Sequence, residues 1–202
     1  MPVEPDTYHN SHVFVNKLGI TDSQWLHRAE ADFSLIRAEQ YRNHPLPATF
    51  DLEHLKAIHR HLFSDLYEWA GEIRGYDISK GFCRFAEHEE IENHANRLYS
   101  DLATEDYLVG LRLKDILPRL AYYYDITNRI HPFPEGNGRT QRLFIEHLAA
   151  NAGFEVDWSK AQAWQIVEVA TQSFAGRLEP TVFMFEEITR VMDRGENWAL
   201  IP

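Results

Sequence analysis

The stretch HPFPEGNGRTQR, residues 131–142, opens on a histidine, carries one acid at Glu135, and runs through Gly136-Asn137-Gly138 to Arg139 and Arg142. Two of the chain's ten glycines therefore stand where a helix is about to begin. Glycine adopts positive φ freely and lets a ligand approach where a Cβ would stand. In a helix interior each would cost about 1 kcal/mol relative to alanine, so their pairing at a helix entrance points to a use. Free amide groups and the positive end of the helix dipole make that use anion binding. Arg139 and Arg142, three apart, share neighbouring parts of one helical face and can both hydrogen-bond phosphate oxygens. Glu135 is the oxygen ligand Mg²⁺ prefers when it bridges a carboxylate to nucleotide phosphates. His131 titrates in the range suited to taking a proton from an attacking hydroxyl. Taken singly, these residues read as a helix-end histidine, a plain turn and surface charges. Together at this spacing they are the parts for transfer chemistry at phosphorus.

The flanking sequence is mostly helical. A helix ending near Ile130 and another starting near Gly138 leave only a short turn between them. Upstream, residues 112–130 carry Ile116, Leu120, Tyr124 and Ile130, with a bend or a start expected near Pro118. Downstream, TQRLFIEHLAANAG reads as a helix closed by Gly153. Residues 159–174 and 179–192 supply two more, the latter with Pro180 placed for a first turn. Toward the N-terminus, Thr21 to Gln24 fit a capping box for a helix running to about His44. Leu52, Leu55, Ile58 and Leu62 form an amphipathic stripe, and Ile91, Ala95, Leu98 and Leu102 form another within 87–103. Residues 71–85 differ: glycines at 71, 75 and 81 punctuate short apolar segments, predicting a hairpin that turns near Ser79-Lys80-Gly81.

Composition narrows the function classes. A chain of 202 residues, 44% hydrophobic, can bury a substantial core and is expected to form a single domain. The formal charge of −11 argues against direct nucleic-acid binding, which needs Lys and Arg to neutralise phosphates. Cys83 is the only cysteine, so no internal disulfide forms and a reducing compartment fits. No run approaches the roughly 18 apolar residues of a membrane span, and MPVEPDTYHN has no apolar core resembling a signal peptide. The expectation is a cytoplasmic protein. Metal hydrolysis fails on spacing: His59 and His61 point to different helix faces, and HEEIE at 88–92 lacks the second histidine of H-E-x-x-H. No Walker A pattern occurs, and G-x-G-x-x-G stops at Gln141.

HPFPEGNGRTQR resembles the signature of the Fic domain family, H-x-F-x-[DE]-G-N-G-R-x-x-R, at every specified position. WAGEIR (69–74) and ISKGFCRF (78–85) also look like the family's segment before the motif, so the resemblance spans roughly 50–150. It implies a mainly α fold, a helical bundle with a small β-hairpin flap, with one Fic-type domain over 1–202 and N- and C-terminal helices packed around the motif core. It also implies transfer of AMP from ATP to a protein hydroxyl. In that reading His131 deprotonates a Tyr, Ser or Thr hydroxyl, the oxygen attacks the α-phosphorus, and pyrophosphate leaves. Phe133 is an apolar peg holding the loop, and Glu135 holds Mg²⁺ through the α- and β-phosphates. Gly136, Asn137 and Gly138 form the anion cradle, with the Asn137 side chain adding a donor. Arg139 and Arg142 clamp the distal phosphates, Arg142 nearest the γ-phosphate. The hairpin is a flap over the nucleotide, with Ser79, Lys80 and Gly81 near it, and the target adds a strand along residues 76–85.

Many members of that family are restrained by a glutamate in [ST]-x-x-x-E-[GN]. Glu92-Asn93, Glu135-Gly136 and Glu196-Asn197 are preceded four positions earlier by His88, His131 and Met192, never by Ser or Thr. A brake of that form is absent from the chain, so either the enzyme is free or, as the resemblance favours, it is a toxin restrained by a separate small antitoxin that supplies the glutamate. Type II topoisomerase subunits are the targets that short bacterial toxins of the family suggest. Two other readings stay open: a kinase-like relative or other nucleotidyl transferase, and a non-catalytic anion-binding adaptor. The kinase-like branch carries Ala and Lys where this chain has Gly136 and Gly138.

Overall fold

In the computed structural model, which describes residues 2–193, seven helices surround one apolar core. They are α1 (Ser23–Asn43), α2 (Leu52–Phe63), α3 (Ile91–Thr104), α4 (Leu113–Ile130), α5 (Asn137–Asn151), α6 (Ala163–Phe174) and α7 (Glu179–Ile188). The α2 stripe lands as expected, with Leu52, Leu55, Ile58 and Leu62 all buried. Asp51 starts that helix by accepting from His54 N at 2.8 Å. Truncating the fully buried Ile58 to alanine would cost roughly 2–5 kcal/mol. The central pair is α4 and α5. Leu143, Phe144, Ile145, Leu148 and Ala149 are each buried, so α5 has apolar neighbours on nearly every side. No helix is long and apolar enough to cross a membrane among the described residues.

Several boundaries differ from the sequence reading. The α1 helix is capped by Asp22, whose carboxylate accepts from Gln24 N and Trp25 N, and not by a Thr21 capping box. The carboxylate is the better N-cap acceptor at this start. Helix α4 runs unbroken across Pro118. That residue sits in the second turn, where the missing N–H forfeits a single ladder bond to Lys114. The last helix ends at Ile188 and not at 192. Its continuation, β4 (Thr189–Val191), pairs antiparallel with β3 (Phe154–Val156), with Glu155 opposite Arg190. An ion pair between those two side chains and β-branched Thr189 and Val191 favour the extended form there. The fold thus has a second strand pair beyond the expected hairpin.

The hairpin itself is β1 (Ser79–Lys80) against β2 (Cys83–Arg84), Ser79 facing Arg84 and Lys80 facing Cys83. Ser79 and Lys80 are strand residues, and the turn is Gly81-Phe82, one step later than expected. Gly81 takes φ +59° there, which glycine permits without strain.

Candidate active site

The loop between α4 and α5 holds His131 to Gly136 of the motif, and the first turns of α5 carry Asn137, Gly138, Arg139 and Arg142. His131 ends α4 in the left-handed region, φ 48° and ψ 61°. That conformation is strained for a residue with a Cβ, so neighbours must hold it. Its Nδ1 lies 3.2 Å from the Asn128 carbonyl. A carbonyl only accepts, so Nδ1 donates and the neutral ring keeps its lone pair on Nε2. Phe85, at the end of the hairpin, stacks on the imidazole at 3.8 Å. Burial lowers the His131 pKa to about 4; the Asn128 contact opposes this, and the charges of Arg74 and Lys80 add to it. The ring is therefore unprotonated at neutral pH.

The middle of the loop is held from inside. Phe133 is fully buried and stacks on His59 at 3.9 Å, as an apolar peg would. His59 accepts from Gly71 N at 2.7 Å and donates to the Glu135 carbonyl at 3.0 Å, so both ring nitrogens are fixed. Burial pushes its pKa down to about 3. The Asn137 side chain, expected to add a donor to the cradle, is engaged inside the loop. It accepts from Phe133 N at 2.9 Å and donates to Phe133 O at 2.7 Å, a two-bond clasp inside the loop. A buried carboxamide with a matching peptide at hand pairs with it.

Gly136 adopts φ +79°, and a Cβ there would lie 2.4 Å from the Phe63 ring. Only glycine fits, for two independent reasons. The first ladder bond of α5 is Thr140 N to Gly136 O. The amides of Asn137, Gly138 and Arg139 precede the ladder and open toward the helix mouth. Gly138 is roomier, its nearest neighbour to a Cβ being Arg142 Nη1 at 3.4 Å.

The two arginines differ in their partners. Arg139 Nη2 donates to Glu30 Oε2 at 2.9 Å and lies 3.4 Å from Glu135 Oε1, with its guanidinium over Phe63. Glu30 is buried on α1, and Tyr67 donates to its other oxygen. Arg139, expected as a phosphate clamp, is thus already paired with a carboxylate of the protein. Arg142 lies close to Tyr124 and has no carboxylate partner among the described residues. Burial lowers its pKa, and an arriving anion would relieve that.

Glu135 is half exposed; its Oε1 accepts from Gly136 N at 2.9 Å, leaving Oε2 uncommitted. Lys80 of the flap and Glu135 line one groove of about 720 Å³ with Leu26, His27 and Glu30 of α1. Ser79 and Gly81 lie on the same exposed hairpin. Of the restraint candidates, Glu92-Asn93 lies at the start of α3, and Glu196-Asn197 falls outside the described residues. The sequence reading missed Glu30, Tyr67, His59 and Phe63 as supports of the loop. Of these only His59 stood in a quoted pattern, and none had a local signal for its partner.

Fold and loop define a mainly helical protein with a glycine-rich turn at the mouth of its central helix. The sequence model described as the Fic/DOC family matches residues 49–149. Protein adenylyltransferase VbhT of Bartonella schoenbuchensis is 39% identical over 173 residues, 86% of this chain but 36% of that protein. The "Probable protein adenylyltransferase Fic" of Escherichia coli (strain K12) is 38% identical over 200 residues, covering 96% of this chain and 95% of its own. The chain therefore spans about a third of the first relative and nearly all of the second. The crystal structure of BepC, a VirB-translocated effector of Bartonella tribocorum with bound AMPPNP, superposes with a TM-score of 0.89 at 27% identity. The match covers 93% of this chain and 97% of that crystallised chain. The chain belongs to the Fic/DOC family.

Proposed function

We propose that the chain is a nucleotidyltransferase that moves AMP from ATP to a Tyr, Ser or Thr hydroxyl of a target protein. The observation that carries this reading is the pairing of an imidazole, oriented by the Asn128 carbonyl with Nε2 free, with a glycine turn beside Arg142, which has no carboxylate partner among the described residues. The names of the two adenylyltransferase relatives and the AMPPNP bound to BepC support it.

In the reaction the target oxygen bonds to the α-phosphorus as its proton passes to His131 Nε2. The bond from the α-phosphorus to the bridging oxygen breaks, and pyrophosphate leaves with that electron pair. The triphosphate beside the ring raises the low imidazole pKa toward neutrality, since negative charge favours the protonated form. Amides of Asn137, Gly138 and Arg139 receive the phosphate oxygens, and Arg142 takes the distal charge. Losing one such donor typically reduces rate by about 100-fold or more. Glu135, with one oxygen uncommitted, suits Mg²⁺, which takes one or two carboxylates and otherwise phosphates and water. Bound there, Mg²⁺ would neutralise charge on the α- and β-phosphates.

The target docks along the free edge of the 76–85 hairpin, where main-chain bonds set register. Both strands are two residues long and largely exposed, so an added strand is needed to extend them. Type II topoisomerase subunits are the first targets to test. A separate small antitoxin supplies the restraining glutamate. Arg139 already holds Glu30, so Arg142 is the arginine left for it. An ATP-rich, reducing cytoplasm is the setting that fits. The kinase alternative is disfavoured because this chain keeps Gly136 and Gly138 where that branch carries Ala and Lys.

The experiment is transfer from ATP labelled at the α- or the γ-phosphate, in lysate, with and without any short protein that copurifies. Label from the α-phosphate supports AMP transfer, and label from the γ-phosphate supports the kinase. Absence of both labels from every target supports an adaptor.

A further inference from the structure

Arg74 is fully buried, and no carboxylate pairs with it among the described residues. Its guanidinium instead donates to four carbonyl oxygens. Nε reaches His131 O at 2.9 Å, Nη1 reaches Tyr76 O at 2.5 Å, and Nη2 reaches Ala86 O at 2.6 Å and Ile130 O at 3.4 Å. Its own amide donates to Pro132 O at 2.9 Å. Tyr76 and Ala86 are the two feet of the flap. Ile130 is the last residue of α4 and His131 its C-cap, where the terminal carbonyls have no partner within the helix. One planar fork therefore ties both feet of the flap to the turn that presents His131.

We propose that Arg74 is a positioning residue that makes the target-docking flap and the catalytic imidazole a single rigid unit, so that register on the flap fixes the distance from the target hydroxyl to His131. This rests on the transfer reading above. Two details support it. The left-handed turn at His131 leaves carbonyls at the negative end of the α4 dipole, where a buried cation is favoured. A second bond, Ala86 N to Arg129 O at 2.9 Å, joins the same two pieces beside the fork. Lysine could supply the charge but not the planar geometry that reaches four acceptors.

The anion turn is held separately, by His59, Asn137 and Phe63, so loss of Arg74 leaves nucleotide binding in place. Two variants of the full chain separate the roles: Arg74→Lys keeps charge without the fork, and Arg74→Gln keeps neither. Both should raise KM for the target about tenfold or more while AMPPNP affinity stays within about threefold, because docking geometry is lost and the cradle is not. The charged groups acting on the imidazole are Arg74 and Lys80, and its packed neighbours are Phe85 and the Asn128 carbonyl. The acid limb of kcat/KM should therefore move to higher pH in Arg74→Gln and stay in place in Arg74→Lys. In the wild type, the Ala86 and His131 amides should open together, with hydrogen-exchange protection agreeing within about tenfold.

Unchanged target KM in both variants, or AMPPNP affinity falling in parallel with it, would overturn the proposal. So would independent exchange of the two amides, which needs no variant and decides the matter even if neither folds. Should the wild type modify nothing, the transfer reading fails by itself, while the exchange comparison still judges the clamp.

Discussion

Glu30 Oε2 lies 2.9 Å from Arg139 Nη2, joining α1 to the first turn of α5 across 109 positions of sequence. Both groups are largely shielded from water, with side-chain exposures of 7% and 21%. Removing one partner of such a pair leaves the other charge poorly solvated. Glu30→Ala should therefore lower stability by about 2–4 kcal/mol. Urea unfolding of Glu30→Ala, Arg139→Ala and the double variant should give a coupling above about 1 kcal/mol, and additivity would contradict the pairing.

The same contact separates the two arginines of the motif. Arg142→Ala should weaken AMPPNP binding by about tenfold or more, since a charge-assisted bond to phosphate contributes about 1.5–3 kcal/mol. Arg139→Ala should change it far less, because that guanidinium already has its anion. Calorimetric titration measures both, and equal losses would show that Arg139 leaves Glu30 for the nucleotide.

Gly136 and Gly138 should respond differently to alanine. At Gly136 the positive φ and the 2.4 Å approach of Phe63 combine, so Gly136→Ala should destabilise by more than about 2 kcal/mol. Gly138→Ala meets only the mobile end of Arg142 and should fold with near-normal stability. Thermal melting of the two variants checks this, and a stable Gly136→Ala would contradict the tight turn.

Much of this was legible in the sequence because the chemistry of residues 131–142 is local: the histidine, acid, glycines and arginines sit within three turns of chain. The apolar stripe of α2 was equally readable, since helical periodicity needs only neighbours. Glu30 was not, because nothing in its helix announces a partner 109 residues away. Asn137 misled for another reason. A carboxamide both donates and accepts, and only the folded loop shows that Phe133 takes both ends. Thr189–Val191 continued a helical pattern until pairing with Phe154–Val156 overrode it.

Acid should unfold the protein through its buried histidines. Burial lowers the pKa of His54 and His147 to about 4 and of His59 to about 3, against 6.5 when unfolded. Below pH 6.5 the unfolded chain takes up protons that the folded chain refuses, so the stability they contribute is complete above that pH. It is lost as pH falls toward the folded values, each histidine costing about 2 kcal/mol at pH 5. Asp125 and Glu146, raised by burial, act in the opposite sense but are fewer. The urea midpoint should fall steadily from pH 7 to 5, and a flat profile would contradict the shifts.

The central claim is that His131 takes the proton from a hydroxyl attacking the α-phosphorus. Peptide mass spectrometry of targets incubated with Mg·ATP and either the wild type or His131→Ala tests it most directly, once AMPPNP binding confirms that the variant's cradle is intact. The expected result is one AMP on a Tyr, Ser or Thr hydroxyl with the wild type and none with the variant. Modification by His131→Ala at more than a few per cent of wild type, or a phosphate in place of AMP, would contradict the account.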